Sequence, residues 1–161
     1  MKKKIFTLLF AIVASTTISH AAIVNGTCGQ NLQWSFDASD STLVITGRGP
    51  MDNYTVNSPA PWKDYFSVIK NIQLPEGLTR IGNRAFSSCN AVRELVIPDS
   101  VIAIGEFALN TMRSLKKITL GAQLQTIEYS AVTALSVDTL ISRATFDTWC
   151  RSSFDGGVIR T

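Results

Sequence analysis

Hydrophobic positions recur along the middle of the chain at a fixed interval. Set one above the other, residues 78–100 and 101–123 stay in register: Ile81 with Ile104, Gly82 with Gly105, Ala85 with Ala108, Phe86 with Leu109, Cys89 with Met112, Val92 with Leu115, Leu95 with Ile118 and Ile97 with Leu120, a period of 23. A third copy runs through Leu124, Ile127, Ala131, Val132 and Leu135, then drops one residue so that Val137 and Leu140 take the places of Leu115 and Ile118. Half a copy stands in front, because Ile69, Ile72, Leu74 and Pro75 precede Val92, Leu95, Ile97 and Pro98 by the same interval. A constant period of this size marks a solenoid, whose stacked coils bury apolar faces that none could bury alone.

Within one coil the pattern Leu-x-x-Leu-x-Ile alternates like a strand and ends at Pro98 or Gly121, which continue a ladder poorly. A second extended piece, Val-x-x-Ile-Gly, follows the corner, and the spacing x-x-Ala-Phe-x-x-Cys then predicts one helical turn. Upstream, Leu32, Trp34 and Phe36 alternate, Asp37–Ser41 turns, and Leu43 and Ile45 alternate again, which predicts a β-hairpin ended by Gly47–Pro50. Its apolar face closes the first coil and shields edge groups that could recruit another chain. Trp62, Phe66 and Ile69 are spaced for one face of a short helix, and Trp62 either plugs the core or stacks against a ligand. Phe146, Trp149 and Cys150 repeat the helical spacing and predict a C-terminal helical cap, stopped at Gly156-Gly157.

The chain opens with Lys2-Lys3-Lys4, an apolar run from Ile5 to Ala14, and Ser19-His20-Ala21, a secretory signal pattern with cleavage near Ala21-Ala22. A membrane anchor is the competing reading, and the short run flanked by Ser15, Thr16 and Thr17 argues against it. The expected organisation is residues 1–21 signal peptide, 22–58 N-terminal hairpin cap, 59–142 solenoid of a half coil plus three coils, and 143–161 C-terminal cap. Of the 15 Lys and Arg set against 12 Asp and Glu, three lysines leave with the signal, so the apparent basicity disappears. A balanced chain with no basic cluster larger than Lys116-Lys117 has no electrostatic footprint for nucleic acid or an anionic membrane.

Cys28, Cys89 and Cys150 lie in the front cap, a coil and the back cap. Cys89 occupies the position of Met112 and Leu135 and reads as a small buried apolar residue. Coils stacked about 4.8 Å apart separate Cys28 from Cys150 by more than the roughly 7 Å a disulfide spans, so no bridge is expected. The only histidine, His20, leaves with the signal, which removes the usual general base, most triads and most zinc sites. Of the remaining carboxylates, Asp37 and Asp40 share a turn and read as solvated surface charge, as do Glu94, Glu106 and Glu128, which are scattered over different faces of successive coils. No catalytic residue, cofactor site or metal site is assigned, and an enzyme is not expected.

The phrases LTRIGNRAFSSCNAVRELVIPDS and VIAIGEFALNTMRSLKKITLG resemble the repeat of the BspA-like leucine-rich-repeat family of bacterial surface and secreted proteins. The segments TCGQNLQWSFDASDSTLVITGRGPMDNY and APWKDYFSVIKNIQLPEG resemble the leader that precedes such repeats, so the likeness covers about residues 26 to 142. The third coil departs from the pattern, with Glu128 at the glycine position and Val132 at the aromatic one. The resemblance implies an α/β repeat fold: a short right-handed leucine-rich-repeat solenoid with parallel strands, an N-terminal β-hairpin cap and a C-terminal helical cap.

What remains for function is a surface. Residues between the inward apolar ones point out in two columns, Asn71, Glu94, Lys117, Thr139 and, beside it, Gln73, Val96, Thr119, Ile141. Their mixture of charged, polar and apolar types suits contact with a protein. Glu94 beside Lys117 is either part of that contact or a cross-strand pair that stabilises the sheet. The expected function is an exported, monomeric module binding another protein of unidentified kind. The resemblance implies adhesion or interaction at a cell surface, with host matrix or surface proteins as candidate partners. A structural envelope or periplasmic scaffold without an external ligand is the alternative, and an unrecognised hydrolase the third.

Overall fold

The computed structural model describes residues 23–133, 135–144 and 159–160. Strands β1 (Val24–Gly29), β2 (Leu32–Asp37), β3 (Thr42–Gly47) and β5 (Asn71–Gln73) form one sheet in the order β1-β2-β3-β5. Strands β4 (Gly49–Pro50), β6 (Leu78–Ile81), β8 (Ala103–Ile104) and β10 (Thr126–Ile127) form a second, parallel sheet. Strands β7 (Glu94–Val96), β9 (Lys117–Leu120), β11 (Thr139–Ser142) and β12 (Ile159–Arg160) form a third, also parallel.

The period of 23 is the stacking distance along the chain. Ile81 pairs with Ile104 and Ile104 with Ile127, while Leu95 pairs with Ile118 and Ile118 with Leu140. All of these side chains are buried, as are Ala85, Ala108 and Ala131 and the Phe86, Leu109, Val132 row. Each rung therefore covers the next, which is how a coil too small to hold its own core becomes stable.

The side opposite the strands departs from expectation. The Ala-Phe-x-x-Cys segment is a pair of tight turns, and among the described residues there is no α-helix, only a 3-10 turn at Lys63–Tyr65. Alternate N–H groups leave the coil: those of Arg84, Phe86 and Ser88 donate to the carbonyls of Glu106, Ala108 and Asn110, and those of Phe107, Leu109 and Thr111 to Tyr129, Ala131 and Thr133. A helix would instead turn those donors back on its own chain. Swinging them outward places Arg84, Phe107 and Ser130, one per coil, at φ 55, 54 and 50°, with Ser88 and Thr111 also left-handed. The helical spacing reported which side chains are buried, but bonding between coils decided the backbone. The short helix expected through Trp62, Phe66 and Ile69 is likewise reduced to the 3-10 turn. The α component of the α/β expectation is corrected to β-strands with turns. Residues 145–158, where the helical cap through Phe146, Trp149 and Cys150 was expected, lie outside the described residues, as does the signal segment.

The leader hairpin forms as β2 and β3, with Trp34 opposite Ile45 and Phe36 opposite Leu43. Two features exceed the sequence reading. The more polar β1 adds a third antiparallel strand, and β3 pairs in parallel with β5, so the leader joins the solenoid edge to edge. Its apolar face packs on the first coil through Trp34, 5.8 Å from Trp62 edge-on, and Phe36, stacked 4.5 Å from Tyr65. Trp62 is fully buried, also stacked 5.7 Å from Phe86, and its indole N–H donates to the Ala85 carbonyl at 2.8 Å. Trp62 is a core plug, out of reach of any ligand.

Candidate functional site: the outward strand face

On the third sheet, Leu95, Ile118 and Leu140 point inward and their neighbours outward, because successive side chains of a strand alternate. Glu94, Lys117 and Thr139 stand in one rung-to-rung column, and Val96, Thr119 and Ile141 in the next. Val96 is 55% exposed, an isolated apolar side chain among polar ones. Lys117 Nζ lies 3.2 Å from Glu94 Oε2 with both side chains exposed, a pair worth little to stability.

Asn71 and Gln73 are exposed on β5, one repeat earlier, yet they do not share this sheet. No backbone ladder joins β5 to β7; the leader sheet ends at one and the third sheet begins at the other. The expected eight-residue face is thus six residues on one support and two across a seam. A groove of about 710 Å³ opens at that seam, lined by Lys70, Asn71, Ala91, Arg93, Glu94 and Ser114. The sequence reading missed Lys70 and Arg93. Their signal was present, since Lys70, Arg93 and Lys116 are spaced by one period, each just before an outward column. Lys116 is engaged, 3.5 Å from Asp138, whereas Lys70 and Arg93 have no carboxylate partner among the described residues.

The second sheet carries a half-buried polar network at its edge. Arg80 donates to Asn53 Oδ1 at 2.5 Å, Asn83 Oδ1 at 2.9 Å and Glu128 Oε1 at 2.7 Å, reaching across two coils. Its route passes Gly105, where a Cβ would sit 2.4 Å from Asn83 Oδ1 and 3.0 Å from Arg80 Nη2. Glu128, the departure from the glycine position, is the acceptor that receives Arg80. On the turn side Arg84 lies 4.4 Å over the Phe107 ring, and Phe107 meets the exposed Tyr129 edge-on at 5.7 Å.

Reactive chemistry finds little support among these groups. Burial, and then the nearby Asp52 charge, pushes the Cys28 thiol up to about 12, and burial pushes Cys89 up to about 12 as well. Both are buried free thiols, so neither offers a thiolate near neutral pH. Burial, Cys28 and Asp52 likewise raise Tyr54. Among the described residues no three His, Cys, Asp or Glu side chains converge on a metal position, and no helix is long and apolar enough to cross a membrane.

Two short parallel strands per coil, one in each of two stacked sheets, joined by tight turns, define a leucine-rich-repeat solenoid. The BspA type leucine rich repeat region matches residues 64–158 in six copies, and the chain belongs to that family. Proteins of this type are typically non-enzymatic interaction modules of bacterial surface or secreted proteins. A crystal structure of a leucine-rich repeat protein from Eubacterium ventriosum is similar, with 15% identity and a TM-score of 0.58 over 87% of this chain and 45% of that one. That likeness is one of fold, and this chain spans under half of that protein's length. No relative among curated proteins matches.

Proposed function

We propose that this chain is an exported module that binds another protein along the outward face of β7, β9 and β11, in cell-surface interaction or adhesion. The observation that carries the reading is the ordered pair of columns. Val96, Thr119 and Ile141 place apolar and hydroxyl side chains beside Glu94, Lys117 and Thr139 on one hydrogen-bonded support. A rigid support lowers the ordering cost of binding, and an exposed apolar residue ringed by polar ones is how contact centres are built. Export rests on the Lys2–Lys4 and Ile5–Ala14 pattern with its small residues at Ser19 and Ala21.

The test is capture of surface and matrix proteins by the chain lacking residues 1–21. A saturable partner, lost in Val96→Asp while the melting temperature holds, is the expected result. Capture unaffected by Val96→Asp and by joint change of Glu94 and Lys117 overturns the assignment to this face, and no saturable partner at all favours the envelope scaffold.

A further inference from the structure

The step from β5 to β7 differs from its neighbours in one backbone detail. At three other steps, two consecutive N–H groups converge on the single carbonyl just ahead of the preceding strand. Lys70 and Asn71 donate to Ser41 O at 2.9 and 3.2 Å, Lys116 and Lys117 to Arg93 O at 2.8 and 3.1 Å, and Asp138 and Thr139 to Lys116 O at 2.8 and 3.0 Å. The equivalent donors at the seam are the N–H groups of Arg93 and Glu94, and they make no such bond to Lys70. The pair of adjacent N–H groups that meets one oxygen at the other steps is not so engaged here, and Lys70, Arg93 and Glu94 themselves line the groove at this seam.

We propose that this groove anchors a carboxylate of the protein partner, either an acidic side chain or a C-terminal carboxylate on an extended segment. The inference rests on the binding role assigned to the strand face and names the chemistry of one end of it. One carboxylate oxygen takes the position that a carbonyl holds at the other steps, accepting from the Arg93 and Glu94 N–H groups, as backbone nests accept anions. Lys70 and Arg93 neutralise the charge, and the Ser114 hydroxyl supplies a neutral donor at the rim. The Glu94 carboxylate is offset in part by Lys117 at 3.2 Å, and the two cations Lys70 and Arg93 outnumber it at the groove. From this anchor the segment continues over Glu94 and Val96 toward β9. A single acidic group fits better than a polyanion. Two unpaired cations do not make a track, and the next cation in the column, Lys116, is already held by Asp138.

The experiment titrates the 15N-labelled chain with C-terminally amidated hexapeptides of alternating glutamate and valine, read through the backbone amides of Arg93 and Glu94. Three controls accompany it: glutamine in place of glutamate with a free C-terminus, the same with a C-terminal amide, and a heparin-derived hexasaccharide. Saturable downfield shifts of both amides with the glutamate peptide support a side-chain carboxylate. The same shifts with the free-ended glutamine peptide, absent with its amide, support the C-terminal source. In either case Lys70→Gln and Arg93→Gln each weaken binding by up to about fivefold at low salt, with melting temperature unchanged. Shifts with the saccharide alone, or none with any probe, overturn the carboxylate anchor. Capture of a partner that survives Lys70→Gln with Arg93→Gln but not Val96→Asp would then leave the strand-face function standing without it.

Discussion

Ala85, Ala108 and Ala131 occupy one position in three successive coils, and Trp62 occupies the same position one period before them. In the coils, the alanine carbonyl of one turn receives a backbone N–H from the turn below: Phe86 donates to Ala108 and Leu109 to Ala131. At the front there is no complete coil below, so the Ala85 carbonyl receives the indole N–H of Trp62 instead. The corresponding backbone donor, Lys63 N–H, turns back to Ala60. The interior of the repeat thus uses small residues and backbone bonds, while the cap uses one large side chain that fills volume and replaces a missing rung. A solenoid end is completed by substituting, group for group, what the next coil would have provided.

The two regions should respond alike to some perturbations and differently to others. The largest expected effect is on thiol reactivity, where cap and coil are alike. Cys28 and Cys89, raised from 9.0 to about 12, hold about a thousandfold less thiolate at pH 8 than unfolded thiols, measured by the rate of labelling with a disulfide reagent. Because both folded values lie above the unfolded one, the associated stability is held below pH 9 and lost as pH climbs from 9 to about 12. Fast labelling of Cys28 alone at pH 8 would show that the cap opens independently of the coils.

Trp62→Ala should cost about 3 to 5 kcal/mol in denaturant unfolding, as should Phe86→Ala, while Trp62→Phe keeps most of the volume and loses about 1 to 3 kcal/mol for the orphaned Ala85 carbonyl. Equal stabilities of Trp62→Phe and the parent chain would mean that the indole bond does not stand in for a rung. Gly82→Ala should cost about 1 to 3 kcal/mol, since its Cβ would lie 1.8 Å from the Asp52 carbonyl at the junction of cap and coil. A neutral result would show that the Asp52 loop shifts freely. Glu128→Gln should cost about 1 kcal/mol by weakening the Arg80 contact, with side chains 23% and 30% exposed, and the loss should shrink in high salt. Asn71→Ala, outward at the seam, should change stability by no more than about half a kcal/mol.

Legibility varied with the kind of interaction. The rung register of Ile81, Ile104 and Ile127 was readable because burial imposes the same residue type at the same place in every coil. The hairpin through Trp34 and Leu43 was readable by alternation, whereas β1, with Asn25, Gly26 and Thr27 in it, offered too little apolar alternation to be seen. The turns were misread as helical because buried positions three and four apart look the same in both backbones. Of the candidate site, the columns from Glu94 to Ile141 were legible; the break between β5 and β7 was not, because Asn71 and Glu94 keep perfect spacing in sequence across it.

Sequence alone determined the period, the inward row and the outward columns, since each follows from which residues must leave water. The tertiary structure decided where N–H groups find their acceptors: outward to the next coil at Phe86, from the Trp62 indole onto the Ala85 carbonyl, and at Arg93 and Glu94 not onto the Lys70 carbonyl that the repeat would supply. Hydrophobic burial is encoded residue by residue, but a hydrogen bond between coils depends on the relative position of two backbones. That position is set only when the whole stack has closed.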